Sequence, residues 1–231
     1  MSQSQSAYGT SYDGSAPARL LKLCPSFDSL QADELIETCD MCGRYYTVCC
    51  QHRSWETAGV CHHHAVVFVD GACSRNGLAD AQAGIGCAIG DGAGHCLSLP
   101  VTEDMDPGHR RTSQRAELLA ALHGVDFLVK AKRSNPNVSA KGVVYVVAAD
   151  SEYVVKGMTE WVPRWKANGW KKSDGRFPAN LDLFRRLDEK VSQYEARGLD
   201  VRFFHVPRAV NAVADGLAKD GAARATVVYV L

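Results

Sequence analysis

The sequence predicts an α/β fold with a five-stranded mixed sheet, and three patterns indicate it. Apolar, β-branched runs at residues 66–70 and 142–150 predict two buried strands, each ending in an acid. Between them, apolar residues recur at helical spacing over residues 113–131, which predicts a long amphipathic helix. A strand, a helix and a second strand in this order predict a parallel pair joined by a right-handed crossover.

The remaining elements follow from similar patterns. Residues 84–90 and 95–100 are short apolar runs with glycine-containing connections, which predict an antiparallel meander with the first strand. A second helix is expected to begin at Ser151, whose hydroxyl can cap it. The prediction is completed by a helix over 181–194, a fifth strand over 201–206 and a final helix over 211–223.

Composition narrows the class of protein. Of the 231 residues, 46% are hydrophobic, which is typical of a globular protein. The formal net charge is zero, so any nucleic-acid partner has to be inferred from local basic patches. No apolar run approaches the length of a membrane span, and residues 1–20 lack the apolar core of a secretory signal. We therefore expect no membrane association and an intracellular location, in the nucleus or cytoplasm, with a mitochondrial one left open.

Four parts of the chain differ in pattern. Residues 1–19 are polar and aperiodic, which predicts a disordered tail, and residues 224–231 are expected to form a C-terminal tail. Residues 65–223 contain the predicted sheet and helices and form the expected main domain. Residues 20–64 are a separate segment rich in cysteine and histidine.

This Cys/His-rich segment has the residue types of a small zinc site. Cys39 and Cys42 form a C-x2-C pair, and Cys49 and His52 follow with C-x2-H spacing. Thiolates and imidazoles are the usual ligands of tetrahedral zinc, so these four residues are candidate ligands of a structural Zn²⁺. A loop with incidental thiols is the alternative that the spacing leaves open.

Three acidic residues occupy related positions in the predicted fold. Asp70 and Asp150 end strands expected to lie side by side, and Glu117 lies near the start of the connecting helix. Asp70 followed by glycine also fits an ordinary turn. Carboxylates gathered in a partly buried site repel one another unless a cation compensates, and oxygen ligands suit Mg²⁺ or Mn²⁺. Two such ions can promote phosphodiester hydrolysis, so the pattern predicts a metal-dependent phosphoryl-transfer enzyme.

Five ordered blocks, over about residues 65–223, resemble the type 1 ribonuclease H family. They are DGACSRN (70–76), RTSQRAE (111–117), DSEY (150–153), GMTEWVPRWKANGWK (157–171) and NAVADGLA (211–218). The resemblance implies a ribonuclease H-like fold and cleavage of the RNA strand of an RNA/DNA hybrid, which leaves 5′-phosphate ends. It implies two Mg²⁺ ions, replaceable by Mn²⁺, bound by four catalytic acids: Asp70, Glu117, Asp150 and Asp215. The last of these is identified by the resemblance alone.

The resemblance also implies substrate contacts. Residues 156–176 interleave cations with three tryptophans, which suits binding of phosphates together with packing on a sugar or base. Trp165 is implied to contact a DNA sugar. A DNA phosphate is implied to bind Arg110, Thr112 and Asn180. The groove that reads RNA 2′-hydroxyls is implied to contain Asn76, Ser113 and Gln114.

One departure from the family pattern precedes the last acid. Many relatives carry a loop histidine there that assists product or metal release, whereas this chain has the shorter run HVPRAVN (205–211). His205 is expected to pack or hydrogen-bond on its strand, and Arg208 is a candidate phosphate contact. Turnover is therefore expected to be slower than in relatives that have this histidine. Separately, we expect the protein to be a monomer. The alternative function is a ribonuclease H-fold protein that binds nucleic acid with little or no catalysis.

Overall fold

The computed structural model describes residues 19–49, 60–133 and 142–225, in which seven strands form one mixed sheet. The strands are β1 (Ile36–Thr38), β2 (Tyr45–Thr47), β3 (His64–Ser74), β4 (Gln82–Ala88), β5 (Cys96–Pro100), β6 (Val144–Ala149) and β7 (Asp200–His205). The helices are α1 (Ser113–Arg133), α2 (Glu152–Lys156), α3 (Val162–Ala167), α4 (Leu181–Glu195) and α5 (Ala212–Arg224), with a π-helical turn (Gly157–Trp161) between α2 and α3. All five predicted strands are present, and the predicted count is corrected to seven because the N-terminal segment adds β1 and β2.

Strand β3 is the centre of the sheet. On one side it pairs antiparallel with β4, which pairs with β5, so the predicted meander is confirmed. On the other side it pairs parallel with β6, and β6 pairs parallel with β7, as the crossover predicted. The β1–β2 hairpin joins this sheet through two residue pairs: Tyr46 with Ala65 at the start of β3, and Arg44 with Gly90 just after β4.

Strand β3 continues past the acid at which it was predicted to end. Residues 71–74 pair with β4, from Gly71 opposite Ile85 to Ser74 opposite Gln82. The chain turns only afterwards, where Arg75 and Gly77 have φ angles of 48° and 77°. Asp70 is therefore a strand residue, and the turn interpretation is wrong, because pairing with β4 extends the strand four residues further.

The two faces of β3 contribute to two cores. Val67 and Val69 pack in the cluster that contains α1 and α4, whereas Val66 and Phe68 pack in the cluster that contains Ala214 of α5. This division follows from the alternation of side chains along a strand. The sheet is thus covered by helices on both faces, and residues 65–69 of β3 are buried between them.

Helix α5 approaches the sheet closely because β4 contains glycine where the two elements meet. A Cβ atom on Gly86 would lie 2.2 Å from the carbonyl oxygen of Ala214, and one on Gly84 would lie 2.0 Å from the backbone nitrogen of Ala222. Only glycine allows so close an approach of two backbones. This contact fixes the depth at which the first turn of α5 lies against the sheet.

Residues at the N-terminal boundary run along the outer edge of β7. The backbone N–H of Leu21 donates to Phe203, whose own N–H donates to Arg19. The Arg19 guanidinium pairs with Asp188 of α4 at 2.7 Å. Arg19 was assigned to the disordered tail but is instead held against α4, because two backbone hydrogen bonds and an ion pair fix it.

The C-terminal tail was predicted to begin at 224, but Arg224 is the last residue of α5, because the helix continues past residue 223. The other tail residues, 1–18 and 226–231, lie outside the described part of the chain. None of the helices in the described ranges combines the length and the apolar composition that crossing a membrane would require.

Candidate active site

One cavity brings the four predicted acids together beside β3. Its volume is about 830 Å³, and it is lined by Asp70, Glu117, Asp150 and Asp215. Each acid comes from a different element: the first lies on β3, the second on α1, the third directly after β6 and the fourth in the first turn of α5. The parallel pairing of β3 with β6 and the close packing of α5 thus gather carboxylates that are far apart in sequence.

The environment of two of these carboxyl groups, Asp70 and Glu117, disfavours their ionised form and raises their pKa values. Burial raises the pKa of Asp70 to about 6, and the neighbouring Asp150 and Asp215 carboxylates add to the increase. Burial also raises the pKa of Glu117, although Ser151 opposes this by donating its hydroxyl to Oε2 at 2.5 Å. Neither Asp70 nor Glu117 forms an ion pair with any described residue. A cation bound among these carboxylates would relieve the repulsion that raises both pKa values.

The fourth acid has the opposite environment. The Lys219 ammonium donates to Asp215 at 2.5 Å and Arg208 donates to it at 3.0 Å, and these contacts lower its pKa, Lys219 having the larger effect. Arg208, predicted as a phosphate contact, therefore touches the cluster of four acids in this structure while its side chain stays 75% exposed. His205 was expected to pack or hydrogen-bond, but its side chain is exposed at the end of β7, where its backbone still pairs with Ala149 of β6.

Asn211 is a site residue to which sequence reasoning gave no role. Its buried side-chain amide donates to Asp150 Oδ1 at 2.7 Å and to the carbonyl oxygen of Val69 at 3.0 Å. It thereby ties Asp150 to the strand that carries Asp70. In the sequence, an asparagine directly before a helix indicates an N-cap, but here the side chain makes no capping hydrogen bond and points to the acids instead.

Replacing Asn211 by alanine should lower kcat for the reaction of this site by about 10–100-fold, because a residue that orients a metal-binding carboxylate typically has an effect of that size. The apparent Kd for Mg²⁺, measured by isothermal calorimetry, should rise by a similar factor. Asn211→Ser, which retains a hydroxyl donor, serves as the matched variant and should lose less. Unchanged kcat and Mg²⁺ affinity in Asn211→Ala would show that this hydrogen bond does not orient Asp150.

The predicted RNA-groove residues surround the start of α1. Asn76, in the turn after β3, accepts the backbone N–H of Ser113 at 3.1 Å. Ser113 lines the cavity of the four acids. Gln114 is exposed beside it and accepts a hydrogen bond from the amide of Asn180 at 3.4 Å. These side chains therefore form a polar edge that continues from the acids.

Two of the three predicted phosphate ligands meet at a residue that was not predicted, Arg115. The Thr112 hydroxyl accepts a hydrogen bond from the backbone N–H of Arg115 at 3.2 Å. The side-chain oxygen of Asn180 accepts one from the Arg115 guanidinium at 3.3 Å. The guanidinium is buried and pairs with two acids, Asp106 and Asp182, at 2.5 and 2.7 Å. Arg110 is exposed and forms no hydrogen bond with Thr112 or Asn180 within the described residues.

Trp165, a residue of α3, lines a second cavity of about 670 Å³. Its ring packs edge-on against Phe184 at 5.2 Å between centroids and contacts Trp161 at 6.0 Å. The cavity combines aromatic rings with cations; its cationic lining residues are Arg164, Lys171 and Lys172. This pattern suits packing on a sugar or base together with neutralisation of phosphates.

The structure separates the candidate zinc ligands. Cys39 and Cys42 lie together, but Cys49 lies against His63, with 3.7 Å between its Sγ and Nδ1. The prediction that Cys49 joins the first two thiols is therefore wrong, because β2 carries the chain from one end of the hairpin to the other between residues 42 and 49. His52 lies outside the described residues. The imidazole beside Cys39 and Cys42 belongs to His62.

Comparisons with known proteins agree with this architecture. A family model described as RNase H matches residues 62–223. The chain is 40% identical over 161 residues to Ribonuclease H1 of Homo sapiens and 38% identical over 161 residues to that of Mus musculus, covering 68% of this chain in both cases. It is 34% identical over 161 residues to Ribonuclease H of Afipia carboxidovorans, covering 69% of this chain and 93% of that protein.

The extent of these matches differs between relatives. The chain spans about half the length of the mammalian proteins, 49% of the human and 50% of the mouse protein. Among solved structures, a foamy viral protease-reverse transcriptase in complex with dsDNA superposes with a TM-score of 0.50 and 23% identity, covering 68% of this chain and 93% of that one. This likeness supports the fold.

Proposed function

This chain belongs to the ribonuclease H family, and we propose that it is an endoribonuclease that hydrolyses the RNA strand of RNA/DNA hybrids and leaves 5′-phosphate ends. The observation that carries the proposal is the convergence of four carboxylates from β3, α1, β6 and α5 on one cavity. The family uses divalent metal ions, and a donor set of oxygens alone suits Mg²⁺, with Mn²⁺ as a substitute.

We propose that Asp70, Glu117, Asp150 and Asp215 hold two Mg²⁺ ions. The raised pKa values of Asp70 and Glu117 support this, since both carboxyls lack a cation partner among the described residues. When bound, the ions would activate the attacking water and stabilise the leaving oxygen. The N-terminal thiols Cys39 and Cys42 lie beside His62, just before β3 begins, and do not line the cavity of the acids.

The chain's own residues prepare this centre in three ways. Asn211 donates to Asp150 and holds it in place beside the strand of Asp70. Ser151 fixes one oxygen of Glu117. Lys219 and Arg208 keep Asp215 ionised. These contacts hold the carboxylate oxygens in position before a metal binds. The side chains therefore need little rearrangement when it does.

The proposed substrate contacts lie on either side of the acids. We assign the RNA strand to Asn76, Ser113 and Gln114 at the start of α1, and a DNA sugar to Trp165. A DNA phosphate is assigned to Arg110, Thr112 and Asn180, and Arg208 is assigned a further phosphate, since its exposed side chain can contact substrate while it remains near Asp215. Recognition of both strands would restrict cleavage to hybrids.

The test uses the full chain and a panel of labelled RNA/DNA hybrid, duplex RNA and duplex DNA. We expect cleavage of the RNA strand of the hybrid alone, in Mg²⁺ or Mn²⁺, at a rate proportional to protein concentration if the active species is a monomer. EDTA should abolish cleavage and leave measurable hybrid binding. Binding without cleavage at every Mg²⁺ or Mn²⁺ concentration would instead support the alternative function, a nucleic-acid-binding protein without catalysis.

A further inference from the structure

Cys39, Cys42 and His62 form a compact cluster of metal-ligating atoms far from the acids. The Nε2 atom of His62 lies 3.1 Å from the Sγ of Cys39 and 3.9 Å from that of Cys42, and all three atoms lie within 4.8 Å of one another. In a tetrahedral zinc site with metal–ligand bonds of about 2.0–2.3 Å, neighbouring ligand atoms are about 3.5–3.8 Å apart. The three side chains thus already approach the spacing that zinc requires.

The packing around the cluster fixes its orientation. The His62 ring stacks on Tyr46, with 4.3 Å between centroids and 16° between planes, and the Tyr46 side chain is buried in the core. The Tyr46 hydroxyl lies 3.6 Å from the Sγ of Cys42. Lys132, at the end of α1, approaches the Tyr46 ring and donates to the carbonyl oxygen of His62 at 3.4 Å. These contacts hold the His62 ring and the Tyr46 hydroxyl in place beside the two thiols.

A second group with suitable donors, Asp106, His109 and Asp182, lies near the start of α1. Arg115 donates to both of these carboxylates, so their charge is already compensated. Among the described residues, no Lys or Arg side chain donates a hydrogen bond to the Sγ atom of Cys39 or Cys42. The thiol cluster is therefore the stronger candidate for a metal.

We propose that Cys39, Cys42 and His62 bind one structural Zn²⁺, with the fourth coordination position taken by water or another ligand. The ion would connect the β1–β2 hairpin to the residues that enter β3. This connection matters because the described part of the hairpin pairs with the rest of the sheet at only two places, Tyr46 with Ala65 and Arg44 with Gly90. At about 3.3 Å per strand residue, His62 and Asp70 are separated by about 26 Å, so the zinc would stabilise the fold and take no part in catalysis.

The proposal is tested by measuring the metal content of the full chain, purified under reducing conditions without chelator. Inductively coupled plasma mass spectrometry should find about one Zn²⁺ per chain. Cys42→Ser and His62→Gln should each lower the zinc content severalfold. Cys49→Ser is the matched control: it removes a buried thiol of the same segment and should retain the metal.

A second measurement does not depend on the variants folding. Cobalt added to the metal-free wild-type chain should give a thiolate charge-transfer band and the intense visible bands of tetrahedral coordination. Removing zinc should also lower the melting temperature of the wild-type chain. The proposal is overturned if the wild-type chain binds neither zinc nor cobalt in this geometry, or if Cys49→Ser loses zinc as completely as Cys42→Ser.

Discussion

Replacing Asp70 by asparagine should lower hybrid cleavage at least about 10³-fold while raising the melting temperature of the metal-free protein at pH 7. The loss of activity follows because an amide is a weaker metal ligand than a carboxylate, at a position that faces the other acids. The gain in stability follows because Asp70 is buried among like charges, which raise its pKa to about 6. We expect a rise of about 3–6 °C, or ~1–2 kcal/mol after allowance for solvent screening.

The pH dependence of this gain identifies its cause. Because the pKa of Asp70 is raised above its ordinary value of 3.8 to about 6, the folded state binds the proton more tightly than the unfolded state. The protonated Asp70 side chain therefore contributes to stability at low pH, and this contribution is lost as the pH rises from 3.8 to about 6. The advantage of Asp70→Asn should thus be absent near pH 4, grow as the pH rises towards 6, and be complete above pH 6.

Scanning calorimetry with EDTA across this pH range measures the effect, with the exposed Asp104→Asn as the matched control. Added Mg²⁺ should stabilise the wild-type chain and leave Asp70→Asn almost unchanged. An Asp70→Asn protein that is less stable than the wild type at pH 7 would contradict the assigned electrostatic repulsion.

Replacing Gly71 by alanine should both destabilise the fold and reduce activity. The new Cβ would lie 2.2 Å from the carbonyl carbon of Ala116 and 2.2 Å from the backbone nitrogen of Glu117. Helix α1 would have to move by about 1 Å, and overpacking of this kind costs about 1–3 kcal/mol or more. Glu117 would move with it, so kcat should fall by about 10²-fold.

Urea denaturation and hybrid cleavage measure the two effects of Gly71→Ala. Gly94→Ala is the matched control, because a Cβ at that position has no neighbour within 4 Å, and it should change neither quantity appreciably. If Gly71→Ala unfolds at the same urea concentration as the wild type, the close contact between β3 and α1 is not needed for the fold.

The elements that could be predicted from sequence are those with a strong local pattern. The long helix α1 and the buried strands β3 and β6 have clear periodicity, and their order alone brings Asp70 and Asp150 towards each other. Strands β1 and β2 were missed because each has only three residues. The extension of β3 beyond Asp70 was missed because residues 71–74 are small and turn-like, and only pairing with β4 makes them a strand.

The finer structure of the candidate site depends on contacts between distant elements. Asn211 reaches Asp150 only because glycines in β4 let α5 lie close to the sheet. The spacing of residues could not show which side chain lies beside Cys39 and Cys42. Strand β2 separates Cys49 from them, and His62, just before β3, lies next to them instead. Residue types therefore predicted the chemistry, whereas the detailed arrangement of ligands required the packed fold.

The most direct test of the central claim is hydrolysis of one hybrid, labelled on either strand, by the wild-type chain and by Asp150→Asn at saturating Mg²⁺. We expect the wild-type chain to cut only the RNA strand and to leave 5′-phosphate ends, and the variant to be at least about 10³-fold slower. Cleavage of the DNA strand, or cleavage that persists in Asp150→Asn, would contradict the assignment of the four acids as the catalytic centre.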